Sequence, residues 1–231
     1  MSIIKSYQLA QDYNIVLGDP WVAPPSIVPR VDEIWELERK RRGIHLTNGQ
    51  IYTLAEFQPD HILIHPSEYK YVLAQRRASS LQREGLSIRP LAVTGILICA
   101  DGLVLGRRGS AVTDDVGLWE PAPAGGLSMP DPKVQVLDEL EEELGISKLE
   151  VESVQVCGLV EDVESRVFDI VFRLEIAATS QEVRVAYTSR GSDEYADLAI
   201  VEFSKVPAFL HDHRNDLLPA LQTMLRLASV V

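Results

Sequence analysis

The stretch DELEEELGI, from Asp138 to Ile146, carries five carboxylates within six residues. Its leucines recur at helical spacing, so the segment is predicted to be a helix on which like charges repel one another. At about 100° per residue, acids at positions i, i+3 and i+4 share one face and the leucines share another. The acidic face comprises Glu139, Glu142 and Glu143. Because the leucines attach the helix to a core, these acids are held at a fixed position.

Two interpretations of this acidic face compete. A run of charges usually forms a solvated surface. Converging carboxylates can instead bind a hard divalent cation such as Mg²⁺, which prefers carboxylate oxygens, waters and the phosphate oxygens of a substrate. The preceding loop favours the second interpretation, because Gly125-Gly126 lets a ligand approach the main chain closely. A strand hairpin, a Gly-Gly turn and a helix with E-x-x-E-E-x-G therefore follow one another.

In this order of elements the chain resembles the Nudix hydrolases over roughly residues 91–231. Their box runs G-x5-E-x7-R-E-U-x-E-E-x-G-U, where U is an aliphatic residue. The opening glycine matches Gly126, and the second half of the box matches Glu139, Leu140, Glu142, Glu143, Gly145 and Ile146.

This sequence departs from the box at three points. The spacing from Gly126 to Glu139 is two residues shorter than in the pattern, and SMPDPK offers no Glu where the box has its first one. Asp138 replaces the Arg that helps to orient the acidic helix in the family. An acid at this position requires compensation from elsewhere in the chain.

The resemblance implies hydrolysis of a diphosphate that links a nucleoside to another group, with Mg²⁺ or Mn²⁺ as the cofactor. It implies that Glu139, Glu142 and Glu143 are catalytic and hold the metal together with the main chain at Gly125. A nucleotide sugar is the expected substrate. Arginine forks suit phosphate oxygens, and the remaining candidates are Arg107, Arg108 and Gly126 for substrate binding, with Glu194 or Glu161 as the general base.

Two other functions stay open at this point. The runs LVLGRRGS and GLWEPAPAGG also look like the isopentenyl diphosphate isomerase branch of the same fold. Those enzymes use a catalytic Cys in a Cys/His-rich stretch, whereas Cys99 and Cys157 each stand in an apolar, strand-like run with no neighbouring His. The third function is a catalytically inactive nucleotide-binding module that has kept the fold.

The elements that position these residues predict an α/β protein. Residues 91–231 are expected to form a Nudix-type α/β/α sandwich with a mixed sheet. Asp101-Gly102 predicts a hairpin, and the acidic helix is expected to be capped by Asp131 and stopped by Gly145. The remaining predicted elements are two long strands in VESVQVCGLVEDV and RVFDIVFRLEIAA, a loop in TSRGSDEYAD, a strand in LAIVEF and a last helix in NDLLPALQTMLRLASVV.

Residues 1–90 are expected to form a smaller α+β domain that either covers the substrate pocket or mediates homodimerisation. A helix is predicted from Val31 to Gly43, and a strand pair is predicted to turn at Asn48-Gly49. HILIH reads as a strand, and Ser67 is predicted to cap the helix after it. The aromatic residues expected to contact a base or sugar are Trp35, Tyr52, Tyr69 and Tyr71.

Composition sets the remaining limits. The 231 residues are 46% hydrophobic and 24% charged, which is typical of a soluble globular protein. No apolar run has the length of a membrane span, and no signal peptide is evident, so a cytoplasmic protein without a membrane partner is expected. The net charge is −12, and residues 91–231 hold 24 of the 34 acidic residues. Nucleic acid is therefore excluded as a partner, whereas a small phosphate ligand fits if metal ions supply positive charge.

Overall fold

The structure is a computed structural model that describes residues 2–42, 46–110, 112 and 114–231. The strands in this part of the chain are β1 (Ile4–Tyr7), β2 (Asn14–Leu17), β3 (Gln50–Gln58), β4 (His61–Glu68), β5 (Leu91–Cys99), β6 (Gly102–Arg108), β7 (Trp119–Pro121), β8 (Ala124–Gly126), β9 (Val151–Asp162), β10 (Val167–Ile176) and β11 (Tyr195–Val201). The helices are α1 (Val28–Arg42), α2 (Tyr69–Arg77), α3 (Ser80–Arg83), α4 (Pro132–Leu144), α5 (Ser180–Arg190), α6 (Val206–Asp212) and α7 (Leu221–Leu227).

The main sheet has the strand order β1-β9-β10-β5-β6-β11, with β7 paired to β6 and β8 paired to β5. It is mixed, because β10 runs parallel to β5 while β9 runs antiparallel to β10. β5 and β6 pair only beside their hairpin, where Ile98 lies opposite Leu103. Beyond the hairpin, β8 pairs with β5, and β7 pairs with β6. The segment from β7 to β8, with its two glycines, therefore crosses an opening between two strands.

Helices cover both faces of this sheet, and the predicted α/β/α sandwich is confirmed. Successive residues of a strand point to opposite faces. Leu97 of β5 accordingly packs in one buried cluster with Leu140 of α4 and Val183 of α5. Its neighbour Ile96 packs in a second cluster with Met224 of α7.

The acidic helix α4 has the ends that its sequence predicts. The Asp131 carboxylate accepts hydrogen bonds from the backbone N–H groups of Lys133 and Val134, at 3.0 and 3.1 Å. Such a cap stabilises a helix by about 1 kcal/mol. At the other end Gly145 adopts φ +66°, a left-handed conformation that glycine adopts without strain. The register of the glutamates on α4 is therefore fixed by local contacts at both ends.

Two predictions for the C-terminal half are wrong. The stretch after β10 contains α5, which the sequence analysis missed, although Thr179 and Glu182 form a capping box at its start. Only Val183 of this helix is buried, so its apolar periodicity is weak. The last helix is also shorter than expected: α7 begins at Leu221, beyond Pro219, and is preceded by the separate helix α6.

The N-terminal segment forms a three-stranded sheet of order β2-β4-β3, accompanied by α1, α2 and α3. The predicted turn at Asn48-Gly49 is wrong, because β3 begins only at Gln50 and the turn to β4 lies at Pro59-Asp60. Ser67 belongs to β4, and α2 begins after Glu68 without a side-chain cap. The predicted helix end at Gly43 and the strand start that follows it lie outside the described residues.

The N-terminal segment lies against the main sheet. β1 pairs antiparallel with β9, placing Ile4 opposite Asp162. Leu54 and Ile64 belong to the same buried cluster as Val93 of β5. The division into domains at residue 90 stays a prediction, but the two parts share a core and enclose a cleft. None of the helices in the described part of the chain combines the length and apolar character needed to cross a bilayer.

Candidate active site

A cleft of about 820 Å³ lies between the N-terminal segment and the main sheet. Five residues of the predicted site line it: Arg108, Gly125, Gly126, Glu142 and Glu194. Its volume falls within the range of small-molecule sites, which is about 300–1,000 Å³. Strand ends, the Gly-Gly segment and α4 thus meet at one place, as the sequence pattern predicted.

Glu143 is the most buried acid of α4, with 1% of its surface exposed. One carboxylate oxygen, Oε2, accepts hydrogen bonds from the Ala124 N–H at 3.1 Å and from the Tyr195 hydroxyl at 2.9 Å. The other, Oε1, receives no hydrogen bond from an N–H or hydroxyl donor among the described residues, although a side-chain hydrogen bond between Glu194 and Glu143 opposes the rise that burial causes in the pKa of Glu194. Burial raises the pKa of Glu143 well above its usual range, and the carboxylates of Glu194 and Glu139 raise it further. A buried acid with a free oxygen costs free energy unless something else compensates it.

Glu139 lies against the Gly-Gly segment. A Cβ added at Gly125 would lie 2.5 Å from the carboxyl carbon of Glu139, so only glycine allows this approach. Gln135, one turn earlier on α4, donates its amide N–H to Glu139 Oε1 at 2.6 Å. Burial raises the pKa of Glu139 to about 7, an effect that the Gln135 bond opposes and nearby Glu142 increases.

The three glutamates do not form a ready-made metal cage, contrary to the expectation that their carboxylates converge. Across the described ranges, no group of three or more His, Cys, Asp or Glu side chains is arranged to hold a metal ion. Glu142 is exposed to the cleft, while Glu139 and Glu143 are held by neighbouring protein groups.

Asp138, at the position of the family's Arg, is compensated by a lysine. Its carboxylate lies 3.1 Å from the Lys148 ammonium, in the turn that follows α4. Both side chains are exposed enough to make the pair weak. The pair neutralises the charge of Asp138 but does not touch the glutamates, so orientation of the acidic face falls to other residues.

The two adjacent arginines of β6 point to different environments. Arg108 lines the cleft and donates to the buried Glu120 carboxylate at 2.6 Å. Arg107 is exposed, donates to the Gly117 carbonyl at 3.1 Å and does not line the cleft. Successive residues of a strand face opposite sides, so of the two arginines Arg108 lies at the cleft and Arg107 does not; contact with a substrate stays a prediction.

The two candidates for the general base also separate. Glu194 lines the cleft, where burial raises its pKa, Arg108 opposes the rise and Glu142 adds to it. Glu161 instead accepts a hydrogen bond from the Tyr7 hydroxyl at 2.6 Å and does not line the cleft. Glu161 is engaged in joining β1 to β9, and we leave it out of the site.

The lining of the cleft is strongly acidic. Its basic side chains are Arg76 and Arg108, and each is already ion-paired, with Asp114 and Glu120 respectively. A polyphosphate could not enter such a site without added cations. The carboxylates of the lining are those of Asp114, Asp115, Glu120, Glu142, Asp162, Asp169, Asp193 and Glu194.

Neither cysteine belongs to the cleft. Cys99 is buried at the end of β5, Cys157 is half-buried in β9, and both are free thiols. Neither lines the cleft, and the isomerase alternative, which needs a catalytic thiol, gains no support.

Sequence reasoning missed two residues that hold the glutamates. Gln135 precedes Glu139 by one helical turn, an i, i+4 spacing that predicts contact. Tyr195 follows Glu194 in the chain, but nothing local reveals that its hydroxyl reaches α4. Its ring lies over Gly106, where an added Cβ would come within 2.5 Å of the ring. The Tyr195 contact depends on the pairing of β11 with β6.

No protein-family model matches the sequence, and no curated protein matches it. Similar solved structures include the NUDIX domain of Shewanella oneidensis NrtR complexed with ADP ribose, 14% identical over 62% of this chain and 88% of that one, with a TM-score of 0.46. The MutT protein of Methanosarcina mazei Go1 is 22% identical over 61% of this chain and 93% of that one, with a TM-score of 0.43. A third similar structure is a bifunctional NMN adenylyltransferase/ADP ribose pyrophosphatase from Francisella tularensis, complexed with AMP and Mn ion. It is 15% identical over 71% of this chain and 47% of that one, with a TM-score of 0.47.

Proposed function

We propose that this chain is a Nudix-type pyrophosphohydrolase that cleaves a diphosphate bond in a nucleoside diphosphate derivative with the help of Mg²⁺ or Mn²⁺. One observation carries the proposal: Glu143 is buried beside the carboxylates of Glu194 and Glu139, and one of its own oxygens receives no hydrogen bond from an N–H or hydroxyl donor in the described structure. The carboxylates of Glu194 and Glu139 both raise the pKa of Glu143. A structural acid would have both oxygens satisfied, whereas a cation ligand needs one free.

The side chains present fit a divalent cation. The donors are carboxylate oxygens, which Mg²⁺ and Mn²⁺ prefer, and Mg²⁺ keeps several waters, so it does not require a complete protein cage. Glu139, Glu142 and Glu143 would hold it, with the main chain at Gly125. Cations bound there would neutralise the phosphate oxygens and lower the pKa of a water molecule.

The protein's own groups then have separate tasks. Tyr195 and the Ala124 N–H fix Glu143, and Gln135 fixes Glu139. Arg108, held by Glu120, presents its guanidinium to a phosphate at the floor of the cleft. Glu194 accepts the proton of the attacking water, because its raised pKa brings it nearer to neutrality than an ordinary Glu.

We favour a nucleotide sugar as the substrate, since the cleft is large enough for a nucleoside, a diphosphate and a sugar. The N-terminal segment covers one side of it, and dimerisation of this segment stays a second proposal. The acidity of the lining argues against nucleic acid as a partner. A cytoplasmic location is proposed on the sequence features alone.

The test is product release from nucleotide sugars, dinucleotides and nucleoside triphosphates, with Mg²⁺, Mn²⁺ or excess EDTA. Wild type is compared with Glu142→Gln, Glu143→Gln and the matched control Glu141→Gln. Glu141 lies on the same helix, is exposed and does not line the cleft. We expect metal-dependent cleavage that falls by at least about a hundredfold in the first two variants and persists in the control.

Each other outcome has a definite meaning. Equal loss in all three variants would show that the helix acts only through its overall charge. No turnover with any compound, together with a Tm that metal does not shift, would overturn the hydrolase and favour an inactive binding module. No turnover with a Tm raised by metal and nucleotide together would also favour the binding module, with its site as described here.

A further inference from the structure

Arg76 and Arg108, the basic side chains of the described cleft lining, differ in how firmly they are held. Arg108 and Glu120 lie 2.6 Å apart, with only 18% and 4% of their side chains exposed. Removing Arg108 from this pair would leave a buried, uncompensated carboxylate. Arg108 therefore stays with Glu120 when a ligand enters.

Arg76 is held much more weakly. It lies 2.6 Å from Asp114, and the two side chains are 31% and 36% exposed. Solvent screens such a pair, whose net contribution is about 0–1 kcal/mol. A phosphate offers the same guanidinium two oxygens at once and more negative charge. If a phosphate replaced Asp114 as the partner of Arg76, the lost ion pair would cost little free energy and the new contact would contribute more.

Arg76 belongs to a stripe of α2 that faces the cleft. Tyr69, Val72 and Arg76 stand at i, i+3 and i+7, on one side of the helix, and all three line the cleft. The half-buried Tyr69 ring is oriented by an edge-on contact with Trp35, with ring centres 6.5 Å apart. Tyr69 and Arg76 are separated by about 10 Å along the helix axis, comparable to the distance between the base and the phosphate of a nucleotide.

The other three aromatic residues predicted to contact a base or sugar are not available. Tyr52, Tyr71 and Trp35 are buried, and none of them lines the cleft. The expectation that all four aromatic residues reach a base or sugar is therefore corrected to Tyr69 alone.

We propose that α2 is the substrate-selecting wall of the cleft: Arg76 leaves Asp114 to bind a phosphate of a nucleoside diphosphate, and Tyr69 contacts the ring of its nucleoside. Asp114 keeps the guanidinium oriented and neutralised until the phosphate arrives. This inference rests on the proposed function, because it requires that the cleft receive a nucleoside diphosphate. It goes further in assigning recognition to a helix outside the segment that resembles the Nudix family.

The test is equilibrium binding with Mg²⁺ by calorimetry, using ADP, adenosine and inorganic pyrophosphate as probes and chromatography to show that ADP stays intact. Arg76→Gln should weaken ADP and pyrophosphate by about tenfold or more and leave adenosine unchanged. Tyr69→Ala should weaken ADP and adenosine but not pyrophosphate. Arg83→Gln, an exposed arginine of α3 that does not line the cleft, is the matched control and should bind like wild type.

A double-mutant cycle tests the exchange itself. Asp114→Asn should tighten ADP binding by up to about fivefold, and this gain should vanish in the Arg76→Gln background. A gain that persists there would show that Asp114 acts by charge alone and would overturn the exchange. ADP binding by Arg76→Gln equal to that of wild type would overturn the role of α2, as would a wild type that binds none of the probes.

This result is separable from that of the hydrolase test. Cleavage that depends on Glu142 and Glu143 but is unaffected by Arg76→Gln, in both ADP binding and KM, would remove the inference and leave the proposed function. ADP binding that depends on Arg76 in a protein without turnover would remove the proposed function and leave the role of α2 in binding.

Discussion

The side-chain amide of Gln135 donates to the carboxylate of Glu139 across one turn of α4, at 2.6 Å. The oxygen of the same amide accepts from the backbone N–H and the hydroxyl of Ser128, at 3.2 and 2.9 Å. One buried glutamine therefore joins the loop before the helix to an acid of the candidate metal site. In a chain whose Asp138 cannot orient the acidic face, this contact fixes the Glu139 carboxylate.

Gln135→Met tests that role, because methionine keeps the length of the side chain and removes both polar groups. We expect the affinity for Mn²⁺ to fall about tenfold or more, since one hydrogen bond to a charged group contributes about 1.5–3 kcal/mol. Mn²⁺ titration of the nucleotide-free protein measures it. Gln82→Met, on the exposed side of α3, is the control. Unchanged Mn²⁺ affinity in Gln135→Met would show that Glu139 is positioned without it.

The neighbouring glycines of β8 give a matched pair of variants. Gly125→Ala would place a methyl group 2.5 Å from the carboxyl carbon of Glu139, whereas a Cβ at Gly126 would meet nothing within 4 Å. We expect Gly125→Ala to weaken Mn²⁺ binding by tenfold or more, as Glu139 is displaced, at a cost of about 1–3 kcal/mol in stability. Gly126→Ala should keep the Mn²⁺ affinity of wild type. Equal Mn²⁺ affinities in the two variants would contradict the close approach of the Glu139 carboxyl group to Gly125.

Glu143→Gln should stabilise the metal-free protein. The folded-state pKa of Glu143 lies above the unfolded value of 4.5, since burial and then Glu194 disfavour its charged form. Between the two values the folded state binds more protons, so stability falls as pH rises through that window. Glutamine has no charged form and avoids this loss. In EDTA, the Tm of Glu143→Gln should exceed that of wild type by a few degrees at pH 8, and the two Tm values should be equal near pH 4. A lower Tm at pH 8 would mean that the charged form is well compensated.

Metal binding should release a proton near neutral pH. Burial holds the pKa of Glu139 at about 7, so the metal-free carboxyl is partly protonated there. A cation binds only the ionised form, and Mn²⁺ affinity is expected to weaken as pH falls below 7. Calorimetry in buffers of different ionisation enthalpy counts the protons: more should be released per Mn²⁺ at pH 6 than at pH 8.5. Glu139→Gln should release fewer protons per Mn²⁺ at pH 6 than wild type, while Glu143, whose pKa is also raised, still contributes; an unchanged count in the variant would show that another acid is responsible.

What the sequence predicted correctly depends on local contacts. Asp131, Pro132 and Gly145 determine the ends of α4 through neighbours within four residues, and the position of the glutamates follows from those ends. Thr179 and Glu182 formed an equally local signal for α5, but its single buried residue hid the apolar pattern. A hairpin at Asn48-Gly49 was locally reasonable, yet the pairing of β3 with β4 placed the turn at Pro59-Asp60.

What it could not predict depends on contacts between distant segments. Tyr195 meets Glu143 only because β11 pairs with β6 and the chain brings its hydroxyl 2.9 Å from the Glu143 carboxylate of α4. Arg76 meets Asp114 only because the N-terminal segment folds against the main sheet. The spacing of residues along one helix can state which acids share a face, but it cannot state which side chains from elsewhere will fix them.

The pairing of β1 with β9 also bears on the order in which this protein is completed during synthesis. Ile4 lies opposite Asp162, so β1 is synthesised long before its partner strand β9 exists. Contacts so far apart in sequence form late, because closing a long loop costs entropy before the contact repays it. Until then a nascent chain carries β1 as an unpaired strand, a site where two such chains can associate. Pairing of β1 with β9 thus ends a period in which a growing chain exposes an unpaired strand to its neighbours.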